Sequence, residues 1–175
     1  MLIQAAHNYE ERGMVVLVVK PWIDSKGADA VVSRLGTTRI ADIVVKPNKS
    51  LIRAIEAKNK EQQISCILVD EAQFLEPEQV DELFWYAVVR DVPVLAYGLR
   101  TDFMGVGFPG STRMLELAHE LQEMKTICRC GKKALFNGRK VNGAFVSSGN
   151  QVAIDGEDQV DYESLCALCY KQKVL

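Results

Sequence analysis

Long apolar runs are missing from this chain. No stretch approaches the roughly 18 consecutive apolar residues of a membrane-crossing helix, so no partner membrane is expected. A cationic excess is missing as well: 21 Lys and Arg stand against 23 Asp and Glu, a net charge of -2. Proteins that neutralise many phosphates with a broad basic face carry the opposite balance, so nucleic acid is not an expected partner. The opening Met1-Leu2-Ile3-Gln4-Ala5-Ala6-His7 has no basic region and runs into Glu10-Glu11-Arg12. It does not read as a signal peptide, and a cytoplasmic location is expected. Histidine is scarce, and His7 and His119, both on predicted helices, have no triad-like or metal-like partner nearby in sequence. No internal repeat or low-complexity tract is present. What remains is a globular composition, 48% apolar and 25% charged over 175 residues, enough for one α/β domain and a small appendage.

The pattern along the chain alternates helix and buried strand. Leu2 to Arg12 reads as a helix without a visible cap, stopped at Gly13, and Met14 to Val19 as a strand buried on both faces. A polar segment from Lys20-Pro21 to Gly36-Thr37-Thr38 reads as a surface loop. Ser50 caps a helix to about Lys60, Ile64 to Val69 forms a second buried strand, and Pro77 opens a helix to about Arg90. Val92 to Leu99 is a further strand, a Gly-rich loop spans Arg100 to Gly110, and a helix follows from Ser111 to Glu120. Met124 to Ile127 is a last short strand. Strands separated by helices of ten to fifteen residues imply a mainly parallel sheet. From Cys128 cysteines and short strand-like runs replace long helices, which predicts two domains, 1–127 and 128–175. Trp22, Trp85 and Tyr86 read as packing residues, and Cys66 as a small core residue.

The most informative octapeptide is Ile67-Leu68-Val69-Asp70-Glu71-Ala72-Gln73-Phe74. An apolar strand that stops at two carboxylates delivers them to the carboxyl edge of a parallel sheet, where ligands bind. In nucleotide-binding proteins one such acid anchors magnesium and a second can orient or deprotonate the attacking group. The alternative is a strand end followed by a solvated acidic turn. Arg129, Lys132, Lys133, Arg139 and Lys140 form a basic cluster that could hold one small phosphate ligand, although a solvated face is the commoner outcome.

Four of the five cysteines fall in the last third as Cys128-x-Cys130 and Cys166-x-x-Cys169. Two close pairs separated by a hairpin-sized insert read as a zinc ribbon, with Gly131 easing the first knuckle. In a cytosolic chain disulfides are disfavoured and metal is the better reading. Four protein ligands leave no open position, so the zinc would be structural.

Asp70-Glu71-Ala72-Gln73-Phe74, Gly98-Leu99-Arg100-Thr101-Asp102-Phe103 and Ile127-Cys128-Arg129-Cys130-Gly131-Lys132-Lys133-Ala134 together resemble the zinc-containing thymidine kinases of bacterial type, in order and across essentially the whole chain. The resemblance implies a P-loop-type (RecA-like) α/β core with a small C-terminal zinc-ribbon domain carrying a lasso-like loop. It implies thymidine and ATP as partners, magnesium with the ATP, and a homotetramer. Glu71 would be the base that takes the proton of the 5′-hydroxyl, and Asp70 would help hold magnesium. Phe74, Leu99 and Phe103 would line the thymine pocket and Tyr162 would contact the nucleoside. Lys26 and Arg139 would meet phosphate, Lys26 as a point-charge version of the arginine in the family's Asp-x-Arg.

Besides Lys26, two features depart from the family pattern. Ile154-Asp155-Gly156-Glu157-Asp158-Gln159-Val160-Asp161 is longer, more acidic and poorer in glycine than the family's segment before the tyrosine. No G-x-x-x-x-G-K-[ST] loop occurs, and Met1-Leu2-Ile3-Gln4 resembles the family helix just downstream of that loop. The expectation drawn from this is a fragment lacking the ATP phosphate loop, with little kinase activity as written. Two other readings compete: a non-catalytic thymidine or nucleotide binder that keeps the pocket and the ribbon, and a zinc-ribbon interaction module beside an unrelated α/β domain.

Overall fold

The computed structural model describes residues 1–22, 30–32, 38–151 and 159–175. The chain divides into two compact units, residues 1–99 with 109–118, and residues 100–108 with 119–175.

The first unit is built on a four-stranded parallel sheet in the order β4-β1-β5-β6, with β1 Val16–Pro21, β4 Ile43–Val45, β5 Cys66–Val69 and β6 Val94–Ala96. Alternation within β1 explains why the strand reads as continuously apolar. Val16 and Val18 face one apolar cluster with Leu2 and Ala6 of α1 (Leu2–Glu10). Leu17 and Val19 face the other with Leu51 and Ile55 of α2 (Leu51–Glu61) and Val80, Leu83 and Tyr86 of α3 (Pro77–Arg90). Each such fully buried side chain contributes about 1.5–3 kcal/mol.

Most predicted starts and stops hold. Gly13 follows α1 at φ +72°, Pro77 opens α3, and the Ser50 hydroxyl accepts the Arg53 N–H at 3.4 Å as the cap of α2. A second cap comes from α3, where Glu82 Oε2 accepts the N–H groups of Leu51 at 2.6 Å and Ile52 at 3.1 Å. That carboxylate satisfies orphan donors at the positive end of α2 from 31 residues away.

Several expectations are corrected. The stretch predicted as a loop before Thr38 contains β2 (Ala30–Val32), which pairs antiparallel with β3 (Thr38–Ile40). Ala-Val-Val has the β-branched content of a strand, and its few flanking polar residues disguised it. Met124 to Ile127 is not a strand; Ile127 makes only an isolated bridge to Lys133, and both Met124 and Ile127 are exposed. With Lys125 and Thr126 between its two apolar side chains, the segment has little to bury by extending. The helix α4 spans Pro109–Leu117, so His119 lies beyond it. Tyr86 is buried as expected, but Trp85 is 60% exposed, and Trp22 is exposed with Lys46 Nζ 5.8 Å from its ring centroid.

The second unit is a three-stranded antiparallel sheet, order β8-β7-β9, of β7 (Phe136–Val141), β8 (Ala144–Val146) and β9 (Val160–Leu165), followed by α5 (Ala167–Lys173). Asn142-Gly143 makes the tight turn between β7 and β8, both at positive φ, the dipeptide that two-residue hairpins favour. Leu165 and Tyr170 form its small core with Cys128 and Cys166, and Tyr170 stacks on Phe136 with ring centroids 4.5 Å apart. Among the described residues no helix is long and apolar enough to cross a membrane.

Candidate active site and metal centre

Strand β5 ends where the acids begin. The Asp70 N–H donates to Val19 O at 2.9 Å, extending the parallel pairing by one residue to the carboxyl edge of the sheet. Asp70 is half-buried, and burial raises its pKa above the ordinary value; Lys20, the Glu71 backbone N–H and the chain's amino group pull it back down. A desolvated carboxylate of this kind is stabilised by a cation placed beside it.

Glu71 takes a left-handed backbone, φ +50° and ψ +38°, ahead of a single 3₁₀ turn at Ala72–Phe74. A non-glycine residue there carries conformational strain that the surroundings must hold, a condition that clusters at functional sites. The hold is visible: Ala72 N–H donates to Tyr97 O at 2.9 Å, and Gln73 Nε2 donates to Glu71 Oε2 at 2.6 Å. Gln73 is buried, and its Oε1 accepts the Leu99 N–H at 3.1 Å. The Leu99 carbonyl in turn accepts from Ser111 Oγ at 2.6 Å. Gly98 makes this possible, since a Cβ there would lie 2.6 Å from Gln73 Oε1. Sequence reasoning assigns Gln73 no role. The available signal was an amide two residues beyond the acid, opposite a glycine-bearing strand end.

The first unit therefore carries Asp70, Glu71, the partly buried Phe74 and the half-exposed Leu99 side chain on neighbouring turns. Lys26 lies outside the described residues. In the second unit Phe103, Arg139 and Tyr162 meet one another. The Arg139 guanidinium carbon is 3.8 Å from the Phe103 ring centroid and 5.5 Å from that of Tyr162. Phe103 is buried, and Tyr162 is 50% exposed.

The four cysteines of the two pairs converge, with all four Sγ atoms within 4.8 Å of one another. Cys130 Sγ and Cys166 Sγ are 3.6 Å apart. That is far beyond the ~2.05 Å of a disulfide and close to the ~3.8 Å edge of a tetrahedron with metal–sulfur bonds near 2.3 Å. The knuckles are shaped for it: Gly131 sits at φ +86° with its N–H on Cys128 O, and Cys166 caps α5 with its sulfur facing the Cys169 N–H at 3.5 Å. Backbone N–H groups of Cys130 and Cys166 lower the Cys128 thiol to about 6. Hydrogen bonding with the Cys130 and Cys166 sulfurs pushes Cys169 up to about 12. Four sulfurs competing for protons at this spacing have the chemistry of a structural metal site such as zinc.

A parallel α/β unit whose central strand ends in a held, strained acid, accompanied by an antiparallel unit built on four converging thiols, defines an α/β protein with a metal-ribbon appendage. The comparison with known families resolves it further. The family model described as Thymidine kinase matches residues 1–170. A thymidine kinase of Colwellia psychrerythraea is 43% identical over 176 residues, covering 99% of this chain and 90% of its own length. That of Enterobacteria phage T4 is 45% identical over 167 residues, covering 94% and 84%, and that of Legionella pneumophila 43% over 174 residues, covering 98% and 82%. The chain belongs to the thymidine kinase family.

Proposed function

We propose that the protein's reaction is transfer of the γ-phosphate of ATP to the 5′-hydroxyl of thymidine, giving thymidine monophosphate and ADP in nucleotide salvage, and that the 175 residues as written, which contain no G-x-x-x-x-G-K-[ST] loop, carry it out weakly. The observation that carries the reading is Glu71, an acid at a sheet's carboxyl edge, strained at φ +50° and oriented by Gln73 at 2.6 Å. In this reading Glu71 accepts the hydroxyl proton as the 5′-oxygen bonds to the γ-phosphorus, and the bond to the β-phosphate oxygen breaks to release ADP. The half-buried Asp70 is the residue to hold magnesium, which supplies charge neutralisation to the phosphates when bound. Lys26 is assigned to the phosphates. Phe74 and Leu99 offer apolar walls to the thymine, and Phe103 and Tyr162 are assigned to the nucleoside from the second unit. The thiol cluster has a structural task, and a cytoplasmic homotetramer is the proposed form.

A coupled assay for ADP with thymidine as acceptor tests the reading. Glu71→Gln should lower kcat by about 10²- to 10⁴-fold, the range for a lost general base, with little change in thermal stability. An unaltered rate removes Glu71 from the chemistry. Thymidine binding by calorimetry without any ADP formation makes the protein a nucleoside binder instead.

A further inference from the structure

Arg139 stands on β7 and is 5% exposed. Each of its three nitrogens donates within the second unit: Nε to Tyr162 Oη at 3.0 Å, Nη1 to Asn150 O at 2.6 Å and Nη2 to Gln151 O at 2.8 Å. The flat face of the guanidinium lies on the Phe103 ring. The network continues outward. Gln151 Nε2 donates to Asp102 Oδ2 at 3.1 Å, while Asp102 Oδ1 accepts the N–H groups of Met104 and Val106, both at 2.9 Å. The Phe103 carbonyl accepts from Tyr170 Oη at 2.6 Å. One cation thus joins the 101–107 loop, β7, the chain just after β8, and β9.

An arginine that recognises a phosphate turns its two terminal nitrogens outward as a fork. Here each of those nitrogens donates to one of two successive main-chain carbonyls. A lysine cannot copy the arrangement, because a single ammonium has no plane to stack on Phe103 while reaching both carbonyls.

We infer that Arg139 is a positioning residue for the nucleoside and not a phosphate ligand: it fixes the Phe103 ring and the Tyr162 phenol in the places from which they meet thymidine. The inference rests on the assignment of those two side chains to the nucleoside. Its energetic logic is preorganisation, since rings already held in place lose little freedom when substrate arrives.

The test compares wild type with Arg139→Lys and Arg139→Met, titrating thymidine and ATP separately by calorimetry and measuring KM and kcat for each. Both variants should weaken thymidine about tenfold or more, the scale of a small misplacement of binding groups, with ATP affinity unchanged. The KM for thymidine should rise by more than kcat falls. Tyr162→Phe, which removes the acceptor of the Nε bond together with the hydroxyl assigned to thymidine, should move thymidine affinity in the same direction. It guards against variants at 139 that fail to fold. Weaker ATP binding with normal thymidine binding would return Arg139 to the phosphate, and unchanged affinity for both would remove its role. A wild-type protein that binds no thymidine overturns the parent assignment, whereas normal thymidine binding by a folded Arg139→Lys overturns the positioning role alone. Without any ligand, the Arg139 Nε proton, buried and bonded to Tyr162 Oη, should exchange slowly with water and faster in Phe103→Leu; exchange as fast as that of an exposed arginine defeats the clamp.

Discussion

The two units of this chain bury different things. Among the described residues, the buried polar side chains of the first unit are neutral, namely Gln73, Gln79 and Ser111, set in two apolar clusters that sandwich a parallel sheet. Those of the second are charged, namely Asp102, Arg139 and Glu163, beside a small cluster whose members include Cys128 and Cys166. The first unit is large enough to be held by burial alone. The second has too small a core for that, and small scaffolds need staples such as a metal. Its polar network and its thiols do by directed bonds what the other unit does by area. The same difference divides the chemistry, with the strained acid on the apolar sheet and the arginine clamp in the metal unit.

The comparison can be broken most severely at the metal. Chelation, or Cys166→Ser, should unfold residues 119–175 while the parallel strands stay protected, because apparent binding energies of structural zinc sites run to about 10–16 kcal/mol. Hydrogen exchange resolved by segment would show it. Equal loss of protection in β1 and β5 would mean that the two units are not held separately. The converse experiment is Leu68→Ala in β5, a fully buried leucine, which should cost about 2–5 kcal/mol through lost contacts and a cavity. Denaturant unfolding would measure that loss, with metal content unaffected. A metal site that empties in this variant would contradict the division.

A finer cut concerns Glu163 on β9, which receives Lys140, Lys173 at 3.2 Å and Arg129 at 3.7 Å. The hydrogen bond from Lys140, then that from Lys173 and the charge of Arg129, hold its carboxyl below the ordinary carboxylate range against the opposing effect of burial. A carboxylate depressed in the folded state contributes stability that is complete above the unfolded pKa, near 4.3, and is lost as pH falls through the folded value. Glu163→Gln should therefore cost about 2 kcal/mol at pH 7, less than the loss of a fully buried ion pair because two of its partners are partly or fully exposed. The gap between wild type and variant should narrow once pH falls below about 4.3 and go on shrinking as pH falls through the depressed folded value. A gap of the same size at pH 7 and at pH 3 would assign the effect to packing and not to charge.

Much of the first unit was legible because its signals are local. Met14–Val19 and Ile64–Val69 read as strands buried on both faces, and Ser50 and Pro77 announced helix starts whose physics involves only a few neighbouring residues. The cysteine pairs were legible as a metal site for a similar reason, since each pair already sits on its own tight turn. Less was legible where partners are far apart in sequence. Glu82 caps a helix that begins 31 residues earlier, and nothing near Leu51 foretells it. Met124–Ile127 has strand-like composition, yet its pairing is confined to the isolated bridge at Ile127. Asn142-Gly143 did carry a hairpin signal that composition alone obscured.

By itself the sequence determined the alternation of elements, the acid pair at a strand end and the presence of four thiols in two knuckles. Periodicity and spacing are properties of a chain before it folds. Only tertiary structure decided that Glu71 would be strained and held by Gln73, and that Arg139 would close on Asn150 and Gln151 beneath Phe103. Those arrangements are made of hydrogen bonds between segments that meet only once the hydrophobic layers and the ribbon have formed. Directed bonds of short reach cannot be specified by residue type until the backbone has brought donor and acceptor within about 3 Å.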